Sequence, residues 1–170
     1  MEDDHTEDLG HKESLEKMRA LVSHTKTCFF TTNLSEVPLQ TRPMATLEVD
    51  DEGNFWFFSR VASDKNLEIK DDTRVQLFYA NEGRSEFMSV YGHAMISKDR
   101  QRIDRLWTPM AKAWFKGGKD DPSVSLIMVL PEEAYYWDTK NNKMVSLIKI
   151  MASMVSGKEM DDGVEGHLTI

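Results

Sequence analysis

Short segments rich in β-branched and aromatic residues, separated by tight turns, constrain the fold of this 170-residue chain more than any other feature. Such segments are typical of β-strands, and turn signals such as DDEGN at residues 50–54 join them. About six strands with a few flanking helices predict a closed or partly closed antiparallel barrel in a mainly β fold. The segments that fit strands are residues 27–34, 39–49, 55–59, 73–80, 85–97, 124–131 and 133–138. Within the fifth segment, Gly92 predicts a bulge or bend.

Three segments carry helical patterns. Apolar residues recur at helical spacing over residues 12–23. Residues 63–72 predict a second, short helix with Ser63 as its N-cap. Residues 99–115 predict a third helix with a break near Pro109. The length suits one domain, so we expect a single domain over residues 12–170 after a flexible acidic tail at residues 1–11.

The charge balance limits the classes of partner. The chain has 21 basic and 29 acidic residues, a formal net charge of −8. General binding to nucleic acids or to anionic lipids needs a basic surface, so neither is expected. We find no secretory signal and no apolar run of transmembrane length, which predicts a soluble cytoplasmic protein. A single cysteine, Cys28, excludes an internal disulfide, and its apolar neighbours favour a buried thiol over a nucleophile.

The strand FWFF, residues 55–58, is aromatic on both faces. One face can line the interior of a barrel. The other face needs cover from a helix, a ligand or a second subunit, because an exposed apolar patch of this kind marks an interaction site. We take this pattern as an argument for a dimer.

Conventional catalytic motifs are missing from the sequence. The five histidines are scattered without metal-ligand spacing, and there is no P-loop, no GxGxxG and no nucleophile elbow. If the chain is an enzyme, its difficult chemistry therefore belongs to a cofactor. No catalytic side chain can be assigned from the sequence.

The segment RPMAT, residues 42–46, is one candidate for cofactor binding. Pro43 cannot donate to a β-ladder, so backbone groups near it become available to a planar heterocycle. Arg42 offers a fork of donors to phosphate or ring oxygens. The alternative interpretation is an ordinary edge strand with an exposed arginine.

Residues 58–65 are the second candidate. They lead from an aromatic strand into the start of a helix, where free N–H groups attract anions. Ser59, Ser63 and Lys65 could surround a phosphate, with Arg60 nearby. An ordinary capped helix explains the same residues. Further along, Trp107 and Trp114 are seven residues apart, either as core residues or as a wall against a flavin ring.

Together these segments resemble the FMN-binding split-barrel superfamily typified by pyridoxamine 5′-phosphate oxidase, and more closely its bacterial general stress protein branch. The motifs are RPMAT, FWFFS with SDKNLEI, VQLFYA, SVYGHAMISKDR, the long stretch from LWTPMAKAWF to AYYWD, and SGKEMDDGVEGHL. The resemblance implies a six-stranded antiparallel split β-barrel and a homodimer with FMN at the subunit interface. It assigns cofactor contacts to Arg42, Pro43, Met44, Ala45, Thr46, Phe58, Ser59, Ser63, Lys65, Trp107 and Trp114. Trp107 and Trp114 would come from the other subunit.

The C-terminal segment departs from the true oxidases, which hold the substrate phosphate with arginine there. Here the last arginine is Arg105 and the chain ends in DDGVEGHLTI, which would repel a phosphorylated substrate. We therefore expect an FMN-dependent oxidoreductase of unknown substrate and not a vitamin B6 oxidase. The alternative is a flavin-binding stress protein that stores or senses flavin without turnover. A deazaflavin or haem is a third option.

Overall fold

The computed structural model describes residues 7–8, 10–139 and 143–146. Helices in this part are α1 (His11–His24), α2 (Asp64–Asp71) and α3 (Arg100–Leu106), and single 3₁₀ turns cover Glu82–Arg84, Pro109–Ala113 and Gly118–Asp120. The strands are β1 (Glu7–Asp8), β2 (Thr27–Thr32), β3 (Gln40–Ala45), β4 (Glu48–Val49), β5 (Phe55–Arg60), β6 (Arg74–Asn81), β7 (Glu86–Ser97), β8 (Val124–Asp138) and β9 (Lys143–Ser146).

One mainly antiparallel sheet contains all of these strands. Its order is β1-β9-β8-β7-β6-β2-β3, with β5 added to β8 and β4 added to β5. β3 and β4 lie on one extended segment that connects two sheet edges. The Thr46 N–H donates to the Lys26 carbonyl at 2.7 Å, and the next N–H, of Leu47, donates to the Trp56 carbonyl at 2.8 Å. The sheet thus curls until its edges are joined through this segment, and the predicted mainly β split-barrel fold is confirmed.

The first two predicted helices are confirmed with small changes at their ends, and the third is much shorter than the predicted residues 99–115. α1 buries Met18, Leu21 and Val22 against the sheet. In α2, the Ser63 hydroxyl caps the helix by accepting the N–H of Asn66 at 3.4 Å. α3 is shorter than predicted and ends at Leu106, since the chain turns to extended backbone at Trp107 before Pro109 begins a 3₁₀ turn.

Two short strands, β1 and β9, extend the predicted set. β4 lies at the end of a predicted strand, whereas β1 falls in the segment that we expected to be a flexible tail, where Glu7 and Asp8 pair in parallel with Val145 and Ser146. β8 is one continuous strand, not the two predicted on either side of Pro131. β5 pairs with β8 only as far as Val129, and β9 pairs with it only from Tyr135. Pro131 therefore has a neighbour on one side only, on β7, and its missing N–H costs no ladder bond on the other side.

The bulge predicted at Gly92 is present. The register between β7 and β8 shifts between Tyr91 and Gly92. A Cβ at Gly92 would lie 2.1 Å from the Leu130 carbonyl oxygen. A glycine is required here by the close approach of the two backbones.

The aromatic strand β5 is covered on both faces by its own chain. Phe55 and Phe57 are fully buried in the main core. On the other face, Trp56 and Phe58 pack into a second cluster with Ile103 of α3 and Phe115. Of the three covers considered, a helix, a ligand or a second subunit, the helix α3 and the segment after it provide the one on this face. β5 therefore gives no argument for a dimer.

An exposed apolar patch lies on the outer face of the sheet instead. Phe29 is 58% exposed and lies opposite both Pro43 and Phe78, which is 45% exposed. Phe87 and Trp137 lie opposite each other on the same face.

No helix in the described residues is long and apolar enough to cross a membrane. The acidic end of the chain discussed above, residues 161–170, lies outside the described residues.

Candidate functional site

The open edge of β3 is the first part of the site. β3 pairs with β2 alone and ends the sheet order. The Thr46 N–H donates to the Lys26 carbonyl, so Thr46 and Lys26 are a hydrogen-bonded pair. Hydrogen-bonded and non-bonded pairs alternate along an antiparallel ladder, and Ala45 and Thr27 are therefore a non-bonded pair. The backbone groups of Thr41, Pro43 and Ala45 thus point away from β2. Pro43 thus occupies a position whose N–H would have no partner on β2. The strand register therefore leaves backbone groups near Pro43 without a partner on β2, as the sequence predicted.

The side chains of the same strand alternate in their surroundings. Met44 is buried in the core, and the Thr46 hydroxyl lies 2.7 Å from the Tyr79 hydroxyl in the interior. Cys28 belongs to this buried group, and burial raises the pKa of its thiol to about 12, against smaller opposing effects of Tyr79 and Thr46. The side chains of Met44 and Thr46 thus lie in the interior, and the same register turns their backbone groups toward β2 and Lys26, away from the open edge. Cys28 is a buried thiol, as predicted.

A buried hydrogen-bond network supports the start of α2. The Ser59 hydroxyl donates to Asn66 Oδ1 at 2.7 Å and lies 3.2 Å from the Ser63 hydroxyl. Asn66 is completely buried and donates through Nδ2 to the Ser125 hydroxyl at 3.2 Å, which in turn donates to the Ser59 carbonyl at 3.0 Å. Ser59 is only 2% exposed. It therefore fixes the position of Ser63, whose half-buried hydroxyl is the more accessible of the two.

Three cations gather beside this network. Burial lowers the pKa of Lys65, and the positive charges of Arg42 and Arg60 lower it further, whereas Glu68 and Asp64 oppose the shift. Arg42 is held by an ion pair from its Nη2 to Glu68 Oε2 at 2.8 Å and by donation to the Thr32 hydroxyl at 2.5 Å. In the described residues, Lys65 has no hydrogen bond or ion pair. The two predicted segments thus meet, with Arg42 close enough to Lys65 to disfavour the charged form of that lysine.

The aromatic residues border the same region. The ring centroid of Phe58 lies 5.5 Å from that of Trp107 and 6.0 Å from that of Phe115, in edge-to-face arrangements. Arg60 lies over the Phe115 ring at 5.3 Å and donates to the Trp114 carbonyl. Trp107 is half-buried, while Trp114 is 71% exposed. The two tryptophans do not share a helix face, because α3 ends before Trp107.

The structure therefore brings most predicted residues to one end of the sheet and adds others. Arg42, Ser63 and Lys65 form a cation-rich cluster at the start of α2, next to the open edge of β3, and Phe58 and Trp107 lie beside it. Sequence reasoning missed Thr32, Asn66, Glu68 and Ser125. Only Asn66 and Glu68 had a local signal, since they lie on α2 within one turn of Ser63 and Lys65. The approach of Trp107 and Trp114 from a second subunit stays a prediction.

Metal binding finds no support in the described residues, where no three His, Cys, Asp or Glu side chains form a group suited to a metal ion. A planar molecule with imide and carbonyl groups matches the donors and acceptors of the β3 edge. A phosphate group matches the cations at the end of that edge. The residues present therefore fit a phosphorylated planar cofactor such as FMN.

Comparisons with known proteins agree with this fold. The chain is 25% identical over 156 residues to the protein bli-3 of Neurospora crassa, which covers 86% of this chain and 75% of that protein. A Clostridium acetobutylicum protein related to general stress protein 26 of Bacillus subtilis superposes with a TM-score of 0.68 at 20% identity, covering 84% of this chain and 99% of that one. The general stress FMN/FAD binding protein of Xanthomonas citri superposes with a TM-score of 0.65 at 24% identity, covering 93% and 99%. Residues 13–161 match the model of the family described as pyridoxamine 5′-phosphate oxidase like. The chain therefore belongs to the pyridoxamine 5′-phosphate oxidase-like family.

Proposed function

We propose that this protein binds FMN along the open edge of β3 and acts as a flavin-dependent oxidoreductase. One observation carries the proposal: the unpaired edge of β3 leads to the three cations Arg42, Arg60 and Lys65 at the start of α2. An edge alone fits many ligands, and cations alone fit any anion. Their combination fits a planar ring system attached to a phosphate.

Each part of the site has a distinct task in this proposal. The edge N–H groups of Thr41 and Ala45 and the carbonyl of Pro43 would orient the ring through hydrogen bonds. Lys65 and the Ser63 hydroxyl would bind the phosphate, with the electrostatic support of Arg42 and Arg60. When bound, FMN supplies the capacity to accept or donate electron pairs. The part of the protein in this chemistry is to orient the cofactor and to set the electric field around it.

The known proteins support the same class of ligand. The Xanthomonas citri relative is described as an FMN/FAD binding protein, and several other relatives of similar fold are described as general stress proteins. We propose that this chain is a flavin-binding member of that general stress branch. The choice of FMN depends on the cation cluster, which suits a terminal dianionic phosphate.

A homodimer is part of the proposal. The outer patch of Phe29, Pro43, Phe78, Phe87 and Trp137 adjoins the edge strand β3. Self-association through this patch would cover exposed aromatic surface and place the flavin next to a second subunit. Sedimentation equilibrium at micromolar concentration tests this part. A monomer at that concentration would contradict it.

The structure also gives an argument for the alternative, a protein that stores or senses flavin without turnover. The outward side chains on β3 belong to Thr41, Pro43 and Ala45, none of which can donate or accept a proton as a catalytic acid or base near neutral pH. Catalysis would then rely on the cofactor and the substrate alone. We keep the oxidoreductase as the first proposal because hydride transfer from a nicotinamide to a flavin needs no such group.

Two measurements test the proposal in sequence. The visible spectrum of the purified protein, with chromatography of any flavin released on denaturation, tests cofactor binding. A colourless protein that also fails to bind added FMN would contradict it. Anaerobic addition of NADH or NADPH to the FMN-loaded protein then tests turnover. Bleaching of the flavin supports the oxidoreductase, and its absence with both donors and with candidate substrates supports storage or sensing.

A further inference from the structure

Glu68 places a carboxylate at the cation-rich cluster, and the chain holds it there from two sides. Its Oε2 accepts from Arg42 Nη2 at 2.8 Å and from the Thr32 hydroxyl. Arg42 Nη1 donates to the same hydroxyl at 2.5 Å, so the three side chains form a closed ring of hydrogen bonds. Thr32 is completely buried, and the Glu68 side chain is only 20% exposed. The ring therefore keeps the carboxylate in place when a ligand arrives.

Lys65 lies on the same face of α2 as Glu68, because residues three apart on a helix are neighbours. The pKa of Lys65 is lowered by burial and by Arg42, and Glu68 partly offsets this effect. Lys65 nevertheless forms no ion pair with any acid of the described residues. The Glu68 carboxylate is thus committed to Thr32 and Arg42, and the Lys65 ammonium is left for another anion.

Arg42 can contact a phosphate without leaving Glu68. A guanidinium has five N–H donors, and the contacts with Thr32 and Glu68 use two of them. The remaining N–H groups have no acceptor in the described part of the chain. A phosphate bound by Arg42 and Lys65 would therefore lie next to a carboxylate that stays where it is.

The charges at this point do not balance a flavin phosphate. Arg42 and Lys65 are partly buried cations, and the charge of Glu68 cancels one of them. A phosphate monoester carries a charge of about −1.5 to −2 at pH 7. Arg60, the third cation near the start of α2, is exposed and donates to the Trp114 carbonyl, so solvent screens its charge. Without the carboxylate, the two partly buried cations would match the phosphate.

We propose that Glu68 lowers the affinity of the site for the flavin phosphate and thereby keeps FMN exchangeable. The inference rests on the proposed flavin site and concerns how firmly that site holds its ligand. A carboxylate beside a bound phosphate repels it, and the repulsion is stronger where both charges are partly removed from water. An exchangeable flavin is what a storage protein releases and what an oxidoreductase can use as a second substrate.

Glu68→Gln tests the inference by the sign of its effect. Glutamine has nearly the same shape, and its carbonyl oxygen can still accept from Thr32 and Arg42, so the ring of hydrogen bonds is kept. We expect the variant to bind FMN about tenfold more tightly and to release it more slowly. Riboflavin has no phosphate and should bind as it does to the wild type. Fluorescence titration measures both affinities, and dilution of the FMN-loaded protein measures release.

Two control substitutions separate the charge at this position from other effects. Asp71→Asn removes a negative charge from an exposed position of the same helix, and it should leave the ratio of the FMN and riboflavin affinities nearly unchanged. Glu68→Asp keeps the charge and should give no gain in FMN affinity. A gain with Asp71→Asn as large as that with Glu68→Gln would overturn the inference, because it would show an effect of net charge alone.

A purely structural role of Glu68 predicts the opposite sign. If the carboxylate served only to hold Arg42 for the phosphate, its removal would loosen Arg42 and weaken FMN binding. Weaker or unchanged FMN binding by Glu68→Gln would therefore overturn the inference and leave the flavin site standing. An equal gain for riboflavin would also overturn it, since the effect would not depend on the phosphate. A wild-type protein that binds neither flavin would contradict the proposed function itself.

Inorganic phosphate provides a readout that needs no flavin. A ligand that binds the folded state raises the melting temperature, and tighter binding raises it more. We expect phosphate to raise the melting temperature of Glu68→Gln more than that of the wild type, with sodium chloride of equal ionic strength as the reference. The melting curve also shows that the variant is folded. An equal or smaller rise in the variant would count against a competing carboxylate at this site.

Discussion

Arg42 of β3 and Glu68 of α2 form an ion pair at 2.8 Å that ties the edge strand to the helix at whose start the cations gather. Both side chains are partly buried, and the Thr32 hydroxyl donates to the same Glu68 oxygen while accepting from Arg42. The pair fixes the strand edge and the helix start relative to each other. Two segments that lie about 20 residues apart in sequence thereby form one site.

Lys65 is expected to be the main cation for the cofactor phosphate. Lys65→Ala should weaken FMN binding about 10- to 100-fold, the range of a lost charge-assisted hydrogen bond. Riboflavin has no phosphate, so its affinity should hardly change. Titration of each flavin, followed by its fluorescence, measures both. Lys70→Ala, which alters an exposed lysine of the same helix, is the control. An equal loss of the two flavins would place Lys65 away from the phosphate.

In the flavin-free protein, the charge of Lys65 is expected to lower the free energy of unfolding. Burial lowers its pKa, so the unfolded chain binds more protons than the folded one between that lowered pKa and the ordinary lysine pKa of 10.5. Stability linked to Lys65 therefore rises as the pH rises through this window. Lys65→Met removes the charge and should add about 0.5–1 kcal/mol to the free energy of unfolding at pH 7.

This gain should shrink as the pH approaches 10.5, where the wild-type lysine loses its charge in both states. Urea unfolding at pH 7 and near pH 10 measures the difference, with Lys70→Met as the control. A gain that is the same at both pH values would show that the benefit of methionine comes from packing and not from the charge.

Asn66 is expected to be the key residue of the buried network. Asn66→Ala removes the acceptor of Ser59 and the donor to Ser125, and it leaves both hydroxyls short of a partner. We expect a loss of about 2–3 kcal/mol in the free energy of unfolding, measured with urea. Ser125→Ala removes one acceptor of Asn66 and one donor to the Ser59 carbonyl. It should cost less, about 1 kcal/mol, because Asn66 Nδ2 also donates to the Val61 carbonyl at 3.5 Å. If both variants cost the same small amount, the network would not be what holds the start of α2.

Gly92 should tolerate no side chain. Gly92→Ala places a Cβ 2.1 Å from a backbone oxygen of β8, and backbone cannot move aside as a flexible side chain can. The strands must separate at the bulge, and we expect a loss of about 3 kcal/mol or more. Gly83→Ala is the matched control, because its Cβ would meet only Asn81 Oδ1 at 3.7 Å. Thermal unfolding of both variants compares the two. A Gly92→Ala protein as stable as the control would disprove the close approach.

Local sequence signals predicted much of the fold. Alternating and aromatic segments predicted five of the six long strands, all except β8, and the cap at Ser63 marked the start of α2. Gly92 pointed to the bulge because only glycine suits such a close approach. These features depend on residues that are neighbours in sequence, so a single chain is enough to reveal them.

The failures involve partners that are far apart in sequence. β8 was divided at Pro131 because the chain alone does not show where β5 stops pairing and β9 begins. The second face of β5 was assigned to a dimer because nothing local shows that α3 packs there. Glu68 and Ser125 were missed for the same reason, since their roles depend on Arg42 and Asn66, which only folding brings near.

Pro43 has a consequence for the behaviour of the protein in a crowded solution. An open strand edge is a template on which another polypeptide can add a strand, the first step of sheet-to-sheet aggregation. At residue 43 the outward position offers no N–H, so an incoming chain would lose a bond in the middle of its ladder. A small molecule needs only one or two of the remaining groups and is unaffected. The proline thus leaves this edge accessible to a small molecule and unfavourable to another protein chain.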